Sequence, residues 1–190
     1  GYRSGVPAKL NPATGGKVAL QQFRVNPTGA NAAAADFEWP AGNTLGKLTL
    51  NAIRTKSLIT GLVGSSWVAG DVSAMSGALH LRSPQAGEPH RFEPAASDHS
   101  PVSLDRLGVS KLDIIAGTPA APAFHLQQTE GSFYPKSGTG DATLRLSRGT
   151  LAIPTWPVLQ LDRALLEFHG SEVVVSNAKI LHELDSIGHI

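Results

Sequence analysis

Seven histidines are the residues best suited to metal or acid–base chemistry: His80, His90, His99, His125, His169, His182 and His189. No two lie within four residues of each other, and neither H-x-x-x-H nor H-E-x-x-H occurs. One helix face or one turn therefore cannot collect a zinc ligand set from them. Cysteine is absent, which removes thiolate metal sites and disulfides together. Asp71, Asp113, Asp141 and Asp162 are spread along the chain without the spacing of a calcium loop. No G-x-S-x-G elbow, Walker loop or G-x-G-x-x-G occurs, so hydrolase and nucleotide signatures are missing. Gly138-Thr139-Gly140-Asp141 has two close glycines, but its strand-rich surroundings favour a hairpin turn. A carboxylate pair for glycoside chemistry would have to come from distant strands. The expectation is a protein that is not an enzyme, with no metal and no cofactor.

Two residue sets are suited to binding. Trp39, Trp67 and Trp156 could form an aromatic platform for a sugar, or serve as core or rim residues. Trp156 stands between Pro154 and Pro157, a setting for a bend. The second set is an apolar stripe from Gly138 to the end of the chain. Leu144, Leu146, Leu151, Ile153, Leu159, Leu161, Leu166, Phe168, Val173 and Val175 recur at alternate positions between short turns. Alternate strand residues point to the same face, so these side chains would line one face of a sheet. That face is either a closed core or a surface for acyl chains, and the sequence leaves both open.

The elements that would position them are strands. In 190 residues, apolar types make up 41% and charged types only 16%, with 20 Gly and 13 Pro. Such a chain has too little charge for a helical bundle and too much apolar content for disorder. Net charge is +1 and the basic residues are scattered, which argues against a nucleic-acid partner. The expected fold is all-β: an antiparallel curved sheet or sandwich of many short strands with little helix.

In chain order, residues 1–16 read as a flexible leader. Residues 17–82 form an N-terminal β half, 83–100 a polar connection and 101–190 a C-terminal β half, unless the two halves are one continuous domain. A phase break between Leu20 and Phe23 suggests a bulge. Within Ala30 to Trp39, Ala32 to Ala35 could form a helical turn, but Pro40 and Gly42 end the segment so soon that a strand, Ala33 to Trp39, is favoured. Trp67 to Val72 and Met75 to Arg82 read as a pair of strands. Val102 to Ile115 reads as a pair joined near Gly108, against a helix capped at Ser100-Pro101. Ala123 to Gln127 and Ser132 to Tyr134 read as two short strands, and Arg148-Gly149 as a turn. A Gly, spacer, Leu-x-apolar pattern repeats at Leu45–Leu50, Ser76–Leu81 and Arg148–Ile153.

The run Gly149 to Ala178 carries a family resemblance. Its Gly-Thr-Leu-Ala-Ile-Pro, Trp-Pro-Val-Leu-Gln-Leu-Asp-Arg-Ala and Val-Val-Val-Ser-Asn-Ala segments resemble repeat units of AsmA-like and TamB-like envelope proteins. Leu45 to Gly77 is a looser match. The resemblance implies a groove-like β-sheet in the periplasm or cell envelope of a Gram-negative bacterium, with lipid or another envelope protein as partner. It implies no catalytic residues. That family usually carries an N-terminal membrane helix, which is absent here, so membrane association would come only through segments outside the chain. The chain opens on Gly and stops in mid-pattern at Ser186–Ile190, which reads as a piece of a longer protein of open oligomeric state.

Overall fold

Alternation of apolar and polar residues produces strand after strand in a computed structural model, and no helix occurs among the described residues. These are residues 17–26, 29–39, 41–56, 58–60, 67–82, 102–118, 120–136 and 141–182. The leader 1–16, the connection 83–100, Gly138 to Gly140, and His90, His99 and His189 lie outside them.

Among the described residues twelve strands belong to one sheet: β1 (Lys17–Gln21), β2 (Arg24–Asn26), β3 (Gly29–Glu38), β4 (Leu45–Thr55), β5 (Leu58–Thr60), β6 (Trp67–Leu81), β7 (Val102–Thr118), β8 (Ala121–Pro135), β9 (Ala142–Ser147), β10 (Thr150–Ala152), β11 (Leu159–His169) and β12 (Glu172–Leu181). The main path is β1-β3-β4-β6-β7-β8-β10-β11-β12. β2 pairs with β3, β5 with β6, and β9 lies between β8 and β11. Every pairing is antiparallel except one: β6 and β7 run parallel from Trp67–Val102 to Leu81–Ala116. The strands on either side of the polar connection are thus hydrogen-bonded neighbours in one sheet.

The expected all-β curved sheet is what forms, but several strands are long rather than short. β6 has 15 residues and β7 has 17. Trp67 to Arg82 is therefore not a pair of strands, and Val102 to Ile115 does not turn at Gly108. Likewise Ala123 to Tyr134 lies within the single strand β8. Gly108 lies mid-strand in β7, and two other mid-strand glycines serve packing. Gly77 sits opposite Leu50 and Leu112, where an added Cβ would come within 2.8 Å of Leu50 Cδ2. Gly131 faces Val109 and Leu146, and a Cβ there would lie 2.6 Å from Leu112 Cδ2. Leucines occupy the room these positions leave.

The Arg148-Gly149 turn also needs correcting. β9 and β10 do not pair with each other; both lie between β8 and β11. Arg148 (φ 58°) and Gly149 (φ 140°) form a kink in what is otherwise one strand, with the register to β8 and β11 unshifted across it. Other irregularities shift the side-chain phase at Ala52, Gln128 and Asn177, all with positive φ. The break expected after Leu20 is present as Gln22, with φ 51°, between β1 and β2. The first two copies of the Gly-x-Leu pattern are cross-strand partners, with Leu48 opposite Leu79 and Leu50 opposite Gly77.

The sheet rolls onto its own apolar face. Trp39 meets Phe133 edge to face, with centroids 6.2 Å apart, although β4, β6 and β7 separate their strands. A flat sheet would hold these strands nearly 20 Å apart at about 4.8 Å per step. Thr44 N donates to Gly170 O at 3.1 Å, joining the β3–β4 turn to the β11–β12 turn. Arg82 braces the first turn, donating to Trp39 O at 2.7 Å and to Asn43 O and Leu45 O at 3.4 Å. Asn43 Oδ1 accepts from Leu45 N at 3.0 Å. The core enclosed in this way includes Leu45, Leu50, Leu79, Leu112, Ile114, Leu144 and Phe168.

Candidate functional site

Among the described residues, the histidines and carboxylates do not converge. Asp113 Oδ1 accepts from Gln128 N at 2.9 Å, while Asp113 Oδ2 lies 3.6 Å from His125 Nε2. This pair fixes the bulge of β8 against β7. His169 pairs with Asp141 at 3.6 Å, and Lys179 with Asp162 at 3.5 Å. Arg148 pairs with Glu130. These contacts link neighbouring strands one to one, and such part-exposed pairs are worth about 1 kcal/mol or less. No group of three metal-capable side chains occurs among the described residues.

The tryptophans separate. Trp39 is buried against Phe133, so it is not available as part of a surface sugar platform. Trp67 belongs to β6, but its side chain lies outside the described residues. Trp156 is 63% exposed.

The apolar stripe divides by depth. Leu144, Leu146, Leu161, Leu166 and Phe168 are buried. Leu151, Ile153, Leu159 and Val173 are partly exposed, with Leu151 and Val173 packed against the core. Val175 is exposed. Register explains the gradient. Leu144 (β9), Leu166 (β11) and Val175 (β12) form one cross-strand row, and their exposures are 1%, 8% and 58%. The row emerges from the core at β12, which among the described residues pairs with β11 alone. Leu161 and Ile180 repeat the step from buried to exposed. Deeper in the fold the face is shut: the space between Leu48, Leu79, Leu107, Leu112, Phe133 and Leu144 is about 10 Å³, room for one water at most.

A second apolar feature adjoins the first. Leu151 pairs with Leu126 of β8 on one side and with Leu159 of β11 on the other. Beyond this row the chain turns twice, at Gly117–Pro122 between β7 and β8 and at Ile153–Val158 between β10 and β11. In the second turn Trp156 N donates to Ile153 O at 3.1 Å, with Pro154 and Thr155 between them. Thr155 has φ 68°, the position that glycine or asparagine fills in a type II turn. A β-branched residue is strained there. Thr155→Gly should therefore raise stability by about 1 kcal/mol in urea unfolding. An unchanged or lower midpoint would show that Thr155 is not strained.

Val158, Ile180 and Leu181 were not singled out as site residues from the sequence, yet all are exposed around this turn. One signal could have found the region. Ile114–Thr129 and Gly149–Leu161 contain no Asp, Glu, Lys or Arg. Register places these two charge-free runs side by side, with Leu126 opposite Leu151 and His125 opposite Ala152.

Comparisons with protein-family models, with curated proteins and with solved structures find no match.

Proposed function

We propose that the chain is a non-enzymatic β-rich module of a larger envelope protein in the Gram-negative periplasm, and that it shields lipid acyl chains where its apolar face leaves the core. The observation that carries this reading is the row Leu144, Leu166, Val175, buried at one end and open at β12. Val173, Val175 and Ile180 line the strip opposite Phe168, Leu166 and Leu161. An acyl chain laid there would be removed from water at about 25 cal/mol per Å² of apolar surface buried. The resemblance of Gly149–Ala178 to AsmA-like repeat units points the same way.

Delipidated protein incubated with phospholipid and passed over gel filtration should retain lipid. The double variant Val175→Glu/Ile180→Glu should retain about tenfold less, because burying a carboxylate against an acyl chain is costly. Wild-type protein that never retains lipid would end the reading. The exposure of Trp156 favours a second one, a carbohydrate- or protein-binding module. Glycan-array binding that is lost in Trp156→Ala, with no lipid retained, would select it.

A further inference from the structure

We infer that the rim made by the β7–β8 and β10–β11 turns docks onto the surface of a lipid bilayer, with Trp156 seated at the headgroup level. This goes beyond acyl-chain shielding by the β12 strip, and either idea can fail alone.

Three observations carry it. The first is charge. Ile114–Thr129 and Gly149–Leu161, 16 and 13 residues long, hold no Asp, Glu, Lys or Arg in a chain with 31 such residues. Both runs end where charge resumes, at Asp113 and Glu130 and at Arg148 and Asp162. The second is placement. The strand register sets the two runs next to each other, so their turns project from the same end of β8 and β10. β12 ends beside them, with Leu181 opposite Gln160. The third is exposure of the large side chains. Trp156, Val158, Ile180 and Leu181 are uncovered, and Ala121 and Pro122 are exposed on the neighbouring turn.

This composition selects among partners. A nucleic acid or an acidic protein surface would call for cations on the rim; among the described residues neither charge-free run holds one, and the neighbouring Lys179 of β12 is paired with Asp162. Apolar and proline-rich turns bearing one tryptophan suit the zone between headgroups and acyl chains. There an indole ring buries its apolar body and keeps its N–H hydrated. The bend at Ile153–Trp156 is closed by the Trp156 N–H bond to the Ile153 carbonyl, and the Trp156 side chain at its end is exposed. Docking of this kind uses the folded module itself and not a membrane-spanning segment elsewhere. Without cations on the rim, zwitterionic lipid should suffice and salt should have little effect.

The probe is a phosphatidylcholine vesicle in a flotation assay with the whole chain. Wild-type protein should float with vesicles to the same extent at low and high salt. Trp156→Ala should reduce partitioning about tenfold, since a large exposed apolar side chain is removed. Met75→Ala removes another exposed apolar residue, on β6 away from the rim, and should leave partitioning unchanged. Both substitutions are at exposed positions, and matching urea midpoints would confirm intact folding. The proposal is overturned if wild-type protein stays with the unbound fraction, if Trp156→Ala floats as wild type does, or if Met75→Ala loses as much. It is also overturned if Trp156→Ala instead converts a dimer to a monomer in sedimentation, which would make the rim a contact between copies. Reduced lipid retention on gel filtration with unaltered flotation in Val175→Glu, which lies opposite Leu166 and leaves the rim intact, would separate the acyl strip from this rim.

Discussion

Phe168→Ala should lower unfolding free energy by about 3–5 kcal/mol. Phe168 is fully buried and sits where the roll of the sheet closes. It pairs with Ala142 on one side and with Val173 on the other, one residue from His169 and two from Gly170, whose carbonyl accepts the bond from Thr44. Truncating the ring opens a cavity between these strands, and neighbours held by backbone ladders on both sides have little freedom to fill it. In a domain with a total stability of about 5–15 kcal/mol, this loss is a large fraction. The midpoint of thermal unfolding should fall by roughly 6 to 20 °C. A loss below about 1 kcal/mol would mean that the closed end is not packed, and the row from Leu144 to Val175 would then be open along its whole length.

Gly117→Ala should be nearly as costly, at about 3 kcal/mol, and should act on the rim as well. Gly117 has φ 93°, a conformation that residues with a Cβ rarely adopt. An added Cβ would lie 2.6 Å from both Ala121 O and Ala123 N. Those atoms are backbone, so relief requires the hairpin itself to move. The turn sits between Ala116–Phe124 and Thr118–Ala121 pairings that lead into the charge-free rim. The variant should thus show a lower urea midpoint and weaker vesicle flotation together. Wild-type values for both would show that the turn tolerates a side chain and that its shape is unimportant to docking.

The pattern that made this sheet legible in the sequence is the two-residue period. Leu144 and Leu146, or Leu48 and Leu50, announce a strand face because nothing except a pleated backbone puts both on one side. Strand against helix was readable at Ala30 to Trp39 for a similar reason: Ala35 and Trp39 are core residues and Phe37 packs against them. Strand length was not readable. Gly77 and Gly131 look like punctuation, yet they lie mid-strand because a leucine from the next strand fills their space. Phase was readable only between bulges. Ala52, Gln128 and Asn177 carry no glycine to mark their positive φ, and each resets which residues face inward. After the positive φ of Ala52, for example, Ile53 packs on the core. The division of the Leu144 to Val175 stripe into buried and open parts depends on which strand is last in the sheet. A local pattern carries no information about that order. The rim was hidden for a further reason: its mark is missing charge spread over two segments separated by 19 residues, which the register of β8 and β10 unites.

The single parallel pairing sets a reach requirement on the chain. After Leu81 the polypeptide must return to Val102, beside Trp67, at the far end of a 15-residue strand. At about 3.3 Å per residue that distance is roughly 45–50 Å. The 20 residues from Arg82 to Pro101 can extend to at most about 70 Å. A tether of this length has slack for the return but little to spare. About 14 residues is the shortest link that could keep β6 and β7 side by side. The polar, proline-containing stretch that looks like a spacer between two halves is therefore long for a geometric reason: it is the return path of a parallel crossover, and shortening it past that limit would pull the sheet apart at its centre.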